Sequence, residues 1–242
     1  MKKSKRKKKD RIIDTVLVVV IILLVAGTAA SLFLKLQASN DLKNENETVA
    51  ENRDDFDKLR AINPDVVAWI TIDNTSIDFP VLQTTNNSKY LNTNVYGEPA
   101  VSGAIFMDYR CSADLSDQYT LIYGHHMRDG NMFSNIDKFK NEKFFESYRT
   151  GSFNLPMSQY ELRTLSYLEA DCRDADFYEP ERWTKDNLQS LMSTILAKSI
   201  HFSPETAALV EQDPKCKIIV LSTCTAHDEN LRSVLVLVAS EK

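Results

Sequence analysis

Three side chains in this 242-residue sequence have the chemistry for nucleophilic catalysis: Cys224, Arg232 and one histidine of the pair His125-His126. Cys224 ends the run KIIVLSTC, and Arg232 opens LRSVLVLV, with the polar segment TAHDEN between them. Two apolar, β-branched runs around a polar loop predict neighbouring strands joined by a turn. That turn sets a thiol at the mouth of the strand pair and a guanidinium across from it. A free cysteine titrates above neutral pH, so a working one needs a cation or base beside it. On these residues alone, a small buried Cys224 and an edge-strand Arg232 are the simpler reading.

The four histidines are His125, His126, His201 and His227. His125 and His126 leave an apolar run at 119–124 directly after Gly124. An imidazole there suits a general acid, a general base or a partner for a thiol. The strand period of two sends the pair to opposite sides, so one of them at most faces a given site. A zinc site could draw on Cys224, His227, His125 and His126. The sequence has no second CxxC and no HExxH, and the paired histidines diverge, so no metal is expected. The phosphate-loop and dinucleotide motifs and G-x-S-x-G are absent, and there are only six glycines, so no organic cofactor is expected either. Asp228, between the two strands, reads as a turn aspartate.

The elements that must position these residues lie in a chain of ordinary globular composition, 43% hydrophobic and 26% charged. The net charge of −5 hides a strongly basic start, MKKSKRKKKDR, which leaves the remainder acidic. Residues 15–34 carry no charge and are long enough to cross a bilayer as a helix. The basic flank belongs on the cytoplasmic side, with the rest outside. The basic tail is therefore a topology signal, and no nucleic acid is expected as a partner. A cleavable signal peptide would stop at AGTAAS, but the apolar run continues past it, which favours an uncleaved anchor. Cys111, Cys172, Cys216 and Cys224 show no disulfide framework spacing.

Beyond the apolar span, residues 35–58 are polar and read as a stalk, and a catalytic domain is expected over 59–242. Strands are expected at 66–72, 77–82, 103–108, 119–124 and 160–171 and in the C-terminal pair, with 152–155 as an eighth. Helical spacing covers 133–148, and Leu188, Leu191, Met192, Ile195 and Leu196 form a stripe over 184–200 behind Thr184. Many short strands with irregular connections predict a closed β-barrel of about eight strands with peripheral helices.

YGHHM at 123–127, LSTC at 221–224 and the following Arg232 resemble the signature of the sortases, membrane-anchored cysteine transpeptidases of Gram-positive bacteria. The resemblance is closest to class B and extends through INPDVVAWITIDNTSIDFPVLQ and SGAIFMD. It implies a sortase-type barrel held by a single N-terminal transmembrane helix, with the N-terminus cytoplasmic and the domain extracytoplasmic. It implies catalysis by Cys224 as nucleophile, His125 as acid and base, and Arg232 as donor to the oxyanion or as the group that fixes the substrate carbonyl. Asn87, Leu91, Tyr123, Ser222 and Thr223 would contact substrate. The partners implied are surface proteins or pilins with an NPxTx- or LPxTG-like sorting signal. The acceptor amine would come from a peptidoglycan precursor or a pilin lysine, for cell-wall anchoring or pilus assembly respectively. A non-catalytic membrane-anchored β-domain is the alternative from a different class.

Overall fold

A computed structural model describes residues 2–127, 130–213, 215–224 and 230–242, excluding the side chains of residues 2–14, 38, 39, 42, 45, 46 and 224. The strands among these residues are β1 (Val66–Ile72), β2 (Asp78–Leu82), β3 (Phe106–Met107), β4 (Tyr119–Tyr123), β5 (Thr150–Asn154), β6 (Gln159–Asp171), β7 (His201–Phe202), β8 (Lys217–Cys224) and β9 (Leu231–Glu241). The helices are α1 (Lys2–Ala50), α2 (Phe56–Ile62), α3 (Glu142–Ser147), α4 (Ala175–Tyr178), α5 (Leu188–Lys198) and α6 (Pro204–Gln212).

Hydrogen bonding runs in the order β5-β1-β2-β3-β4-β8-β9-β6, and β5 pairs with β6 to close an eight-stranded barrel. β7 joins β6 as a two-residue addition. The β2–β3 and β4–β8 pairs are parallel, so the barrel is mixed. Closure removes the exposed sheet edges that an open array of this size would present. β8 and β9 lie at its centre, and Ile218–Leu221 and Val234–Ala239 are all at most 1% exposed. Burial on both faces explains why these runs are continuously apolar instead of alternating. Each fully buried aliphatic side chain there contributes about 1.5–3 kcal/mol relative to exposure.

The chain divides into two units, Met1–Glu45 and Asn46–Lys242. The first contains the apolar stretch Thr15–Gln37, 23 residues of mean hydropathy 2.9, none of it buried. That is long and apolar enough to cross a membrane. In the second, Val49 and Leu59 pack with Val66, Trp69, Leu82 and Tyr90 in one apolar cluster.

Three expected elements take a different form. The strand at 103–108 pairs only at Phe106–Met107, because Gly103 has a positive φ of 57° that breaks extended geometry. The helical stretch at 133–148 splits into a 3-10 segment, Phe133–Lys140, and α3. Asn141 between them is extended and caps α3 by accepting the Phe144 N–H at 3.1 Å. Behind Thr184, a 3-10 turn (Lys185–Asn187) precedes α5, which buries Leu191 and Ile195 but leaves Leu196 55% exposed. α6 is an addition, started by the Ser203 cap and Pro204 in its first turn.

Candidate active site

The register of three neighbouring strands brings the chemistry-bearing residues to one end of the barrel. β4 and β8 run parallel in constant register up to Tyr123↔Ser222. The Gly124 N–H then donates to the Ser222 carbonyl at 3.2 Å. Two residues beyond that last pair stand His125 on one chain segment and Cys224 on the other. Across the next ladder, Cys224 pairs directly with Arg232. Continued by two residues, that register sets His125 level with the Cys224–Arg232 pair, in one row at the rim. Paired residues on adjacent strands put their Cβ atoms on the same face. The thiol itself, and the turn with His227 and Asp228, lie outside the described residues.

The two histidines, both past the end of β4, have different partners. Nε2 of His125 is 2.6 Å from the Leu91 carbonyl oxygen. A carbonyl only accepts, so Nε2 carries the proton. Nε2 of His126 pairs instead with the Asp137 carboxylate at 2.9 Å. Leu91 ends a 3-10 turn (Lys89–Leu91) seated against Gly103, where a Cβ would overlap the Tyr90 and Leu91 carbonyl oxygens. Gly124 is equally constrained, since a Cβ there would meet Ile105 and Phe133. Both glycines permit the backbone approach that brings Leu91 and His125 together.

Asp108, at the end of β3, collects the proposed substrate contacts. Its carboxylate accepts from Arg110 Nε and Nη2 at 2.9 and 2.8 Å, Tyr123 Oη at 2.9 Å and Asn87 Nδ2 at 2.8 Å. The Asp108 side chain is fully buried. Burial alone would push its carboxyl up, but the Arg110, Tyr123 and Asn87 hydrogen bonds hold it below the ordinary value. Burial, followed by the neighbouring Asp108 charge, pushes the Tyr123 phenol up, so Tyr123 stays a neutral donor. Arg110 also donates to the Tyr178 carbonyl at 2.8 Å, and Tyr178 Oη lies 2.9 Å from Ser222 Oγ. Asn87, Tyr123 and Ser222 are thus joined through Asp108, Arg110 and Tyr178, three residues not singled out from the sequence. Leu91 is partly exposed at 39%. Thr223 alternates to the other face of β8 from Ser222; it is buried, and its hydroxyl has no hydrogen-bond partner among the described residues.

Two of the other cysteines, Cys111 and Cys216, are buried. Burial pushes the Cys111 thiol up to about 12, and burial also raises that of Cys216. Both stay protonated near neutral pH and make poor nucleophiles. Cys111, Cys172 and Cys216 are free thiols.

Residues 70–241 match the family model described as the sortase domain. The chain belongs to the sortase family. Its likeness is to class B: it is 33% identical over 189 residues to sortase B of Listeria monocytogenes, covering 77% of this chain and 74% of that protein. The Staphylococcus aureus sortase B–substrate complex superposes with a TM-score of 0.73 at 26% identity, covering 85% of this chain and 99% of that one. A sortase B complexed with triglycine superposes at 0.72 with 27% identity, over 84% and 99% of the two chains. The closed mixed barrel is the sortase fold, and the activity is that of a class B-like sortase cysteine transpeptidase.

Proposed function

We propose that this sortase cleaves the sorting signal of surface proteins and transfers the acyl fragment to a glycine-type amine of a cell-wall precursor. The observation that carries the reading is the shared row of His125, Cys224 and Arg232. In the first step the Cys224 thiolate attacks the carbonyl carbon of the signal's threonine. The amide C–N bond then breaks, and the His125 imidazolium gives its proton to the leaving amine. In the second step neutral His125 takes a proton from the incoming amine, which attacks the thioester and releases the Cys224 thiolate. Arg232 donates to the oxyanion that forms in both steps, a task suited to a permanently charged planar fork.

The bond from Nε2 to the Leu91 carbonyl leaves Nδ1 of His125 for the proton exchange. Asn87, Leu91, Tyr123 and Ser222 would line the path of the peptide, with Thr223 contributing through its backbone. The substrate and triglycine complexes of the related structures support a peptide signal and a glycine acceptor. Residues 1–14 would be the cytoplasmic tail, 15–34 the single-pass membrane anchor, 35–58 the stalk and 59–242 the catalytic domain.

The test uses the full chain in detergent with peptides carrying NPxTx- and LPxTG-type sequences and triglycine or an N-acetyl-lysine amide as acceptor. Mass spectrometry should find an acyl-thioester on Cys224 and a triglycine adduct, both lost in Cys224→Ala. Preferential transfer to the lysine amine would replace wall anchoring by pilin joining. Cleavage persisting in Cys224→Ala would overturn the assignment of the nucleophile.

A further inference from the structure

Asp137 reaches the chain neighbours of two members of the row. Its Oδ2 pairs with His126 Nε2 at 2.9 Å, and its Oδ1 accepts from Ser233 Oγ. His126 follows His125 directly, and Ser233 follows Arg232. One carboxylate thus joins the segment after β4 to the start of β9, on the face turned away from the row. The carboxylate's own carrier, the 3-10 segment Phe133–Lys140, is held by the same region. The Phe133 N–H donates to the His125 carbonyl at 3.1 Å, and His126 forms a bridge with Met132.

On the barrel side the link is anchored further. Ser233 is fully buried, and its Oγ lies 3.1 Å from Tyr167 Oη on β6. Tyr167 in turn reaches Glu169, which pairs with Lys140 of the same 3-10 segment at 2.7 Å. The β4 end and β9 are not neighbours in the sheet, because β8 lies between them. Their spacing at the rim is therefore set by Asp137 as well as by the ladders. Displacements near 1 Å between reacting groups cost up to about 100-fold in rate.

We propose that Asp137 is a positioning residue for the transpeptidation, setting the separation of His125 and Arg232 through His126 and Ser233. The inference rests on the reading of His125, Cys224 and Arg232 as the catalytic row. Because Asn87 and Tyr123 are held by Asp108, loosening the Asp137 link should act on turnover and leave peptide binding alone.

The experiment compares the full-length wild type, Asp137→Asn, Asp137→Glu and Ser233→Ala in cleavage of an NPxTx-type peptide with triglycine present. Asp137→Asn should lower kcat about tenfold or more while KM stays within about twofold, and Asp137→Glu should recover part of the loss. Unchanged kcat in folded Asp137→Asn would overturn the inference, as would a parallel loss of kcat and rise in KM. If Asp137→Asn does not fold, Ser233→Ala cuts the β9 leg alone and is read by the same criteria. Cys224→Ala separates the two levels. Activity in that variant overturns the catalytic row and this inference with it. An inactive Cys224→Ala beside an unaffected Asp137→Asn overturns the role of Asp137 only.

Discussion

His125 holds the carbonyl of Leu91 through Nε2 at 2.6 Å, while its neighbour His126 turns the other way to Asp137. The two imidazoles are adjacent in sequence but belong to different faces and different hydrogen-bond systems. His125→Ala should therefore lower kcat by about 10²- to 10⁴-fold, the usual range for a lost general acid–base. His126→Ala removes a support only and should cost no more than about tenfold. Steady-state kinetics on both variants checks this, and equal, mild losses would contradict the role given to His125.

Arg232 pairs with Cys224 across the last step of the β8–β9 ladder. Arg232→Lys keeps the charge but loses the planar fork that can donate two parallel bonds. Loss of one oxyanion donor costs about 10²- to 10³-fold in kcat. Single-turnover acylation of Cys224 should slow by that order, with the melting temperature within a few degrees of wild type. A lysine variant at full rate would show that charge alone suffices.

Asp108 ties Asn87 and Tyr123 together from a fully buried position. Asp108→Ala would leave Arg110 beside an empty site, a change of the kind that costs about 3–5 kcal/mol. Asp108→Asn is milder and should raise KM for the peptide more than it lowers kcat. The folded carboxyl titrates below its unfolded value. Its stabilising contribution is therefore complete above the ordinary aspartate value of about 3.9 and is lost as pH falls through the lower, folded one. The melting-temperature gap between wild type and Asp108→Asn should be constant near neutrality and close in acid. A gap that widens on acidification would refute that assignment.

Gly103 combines a φ of 57° with contact against the turn that presents the Leu91 carbonyl. Alanine there incurs backbone strain of about 1–2 kcal/mol, which lowers the melting temperature by roughly 2–8 °C in a domain of this size. The added methyl group must also displace the Tyr90 and Leu91 carbonyls, the second of which His125 holds. Gly103→Ala should lose activity beyond what its stability change accounts for, measured well below its melting temperature. Gly97 also has a positive φ but an unobstructed Cβ position, so Gly97→Ala is the control. Equal activity losses in the two variants would remove the steric argument.

The sequence by itself determined the parts governed by short-range pattern. The continuous β-branched runs at Ile218–Leu221 and Val234–Val238 read as neighbouring strands, and their burial on both faces came from the fold. The uncharged span after the basic tail could only be a long apolar helix. Cys224 and Arg232 flank one turn, so their proximity follows from a hairpin-like connection. His125 needed the family resemblance, because only the parallel β4–β8 register brings it to their row. Tertiary structure alone decided the rest. Asp108 meets Tyr123 and Asn87, and Asp137 meets His126 and Ser233, across gaps in the chain that no periodicity encodes. Those bonds depend on how the barrel closes and on which side each strand turns outward. Closure is a property of all eight strands together, which is why no local stretch of residues announced it.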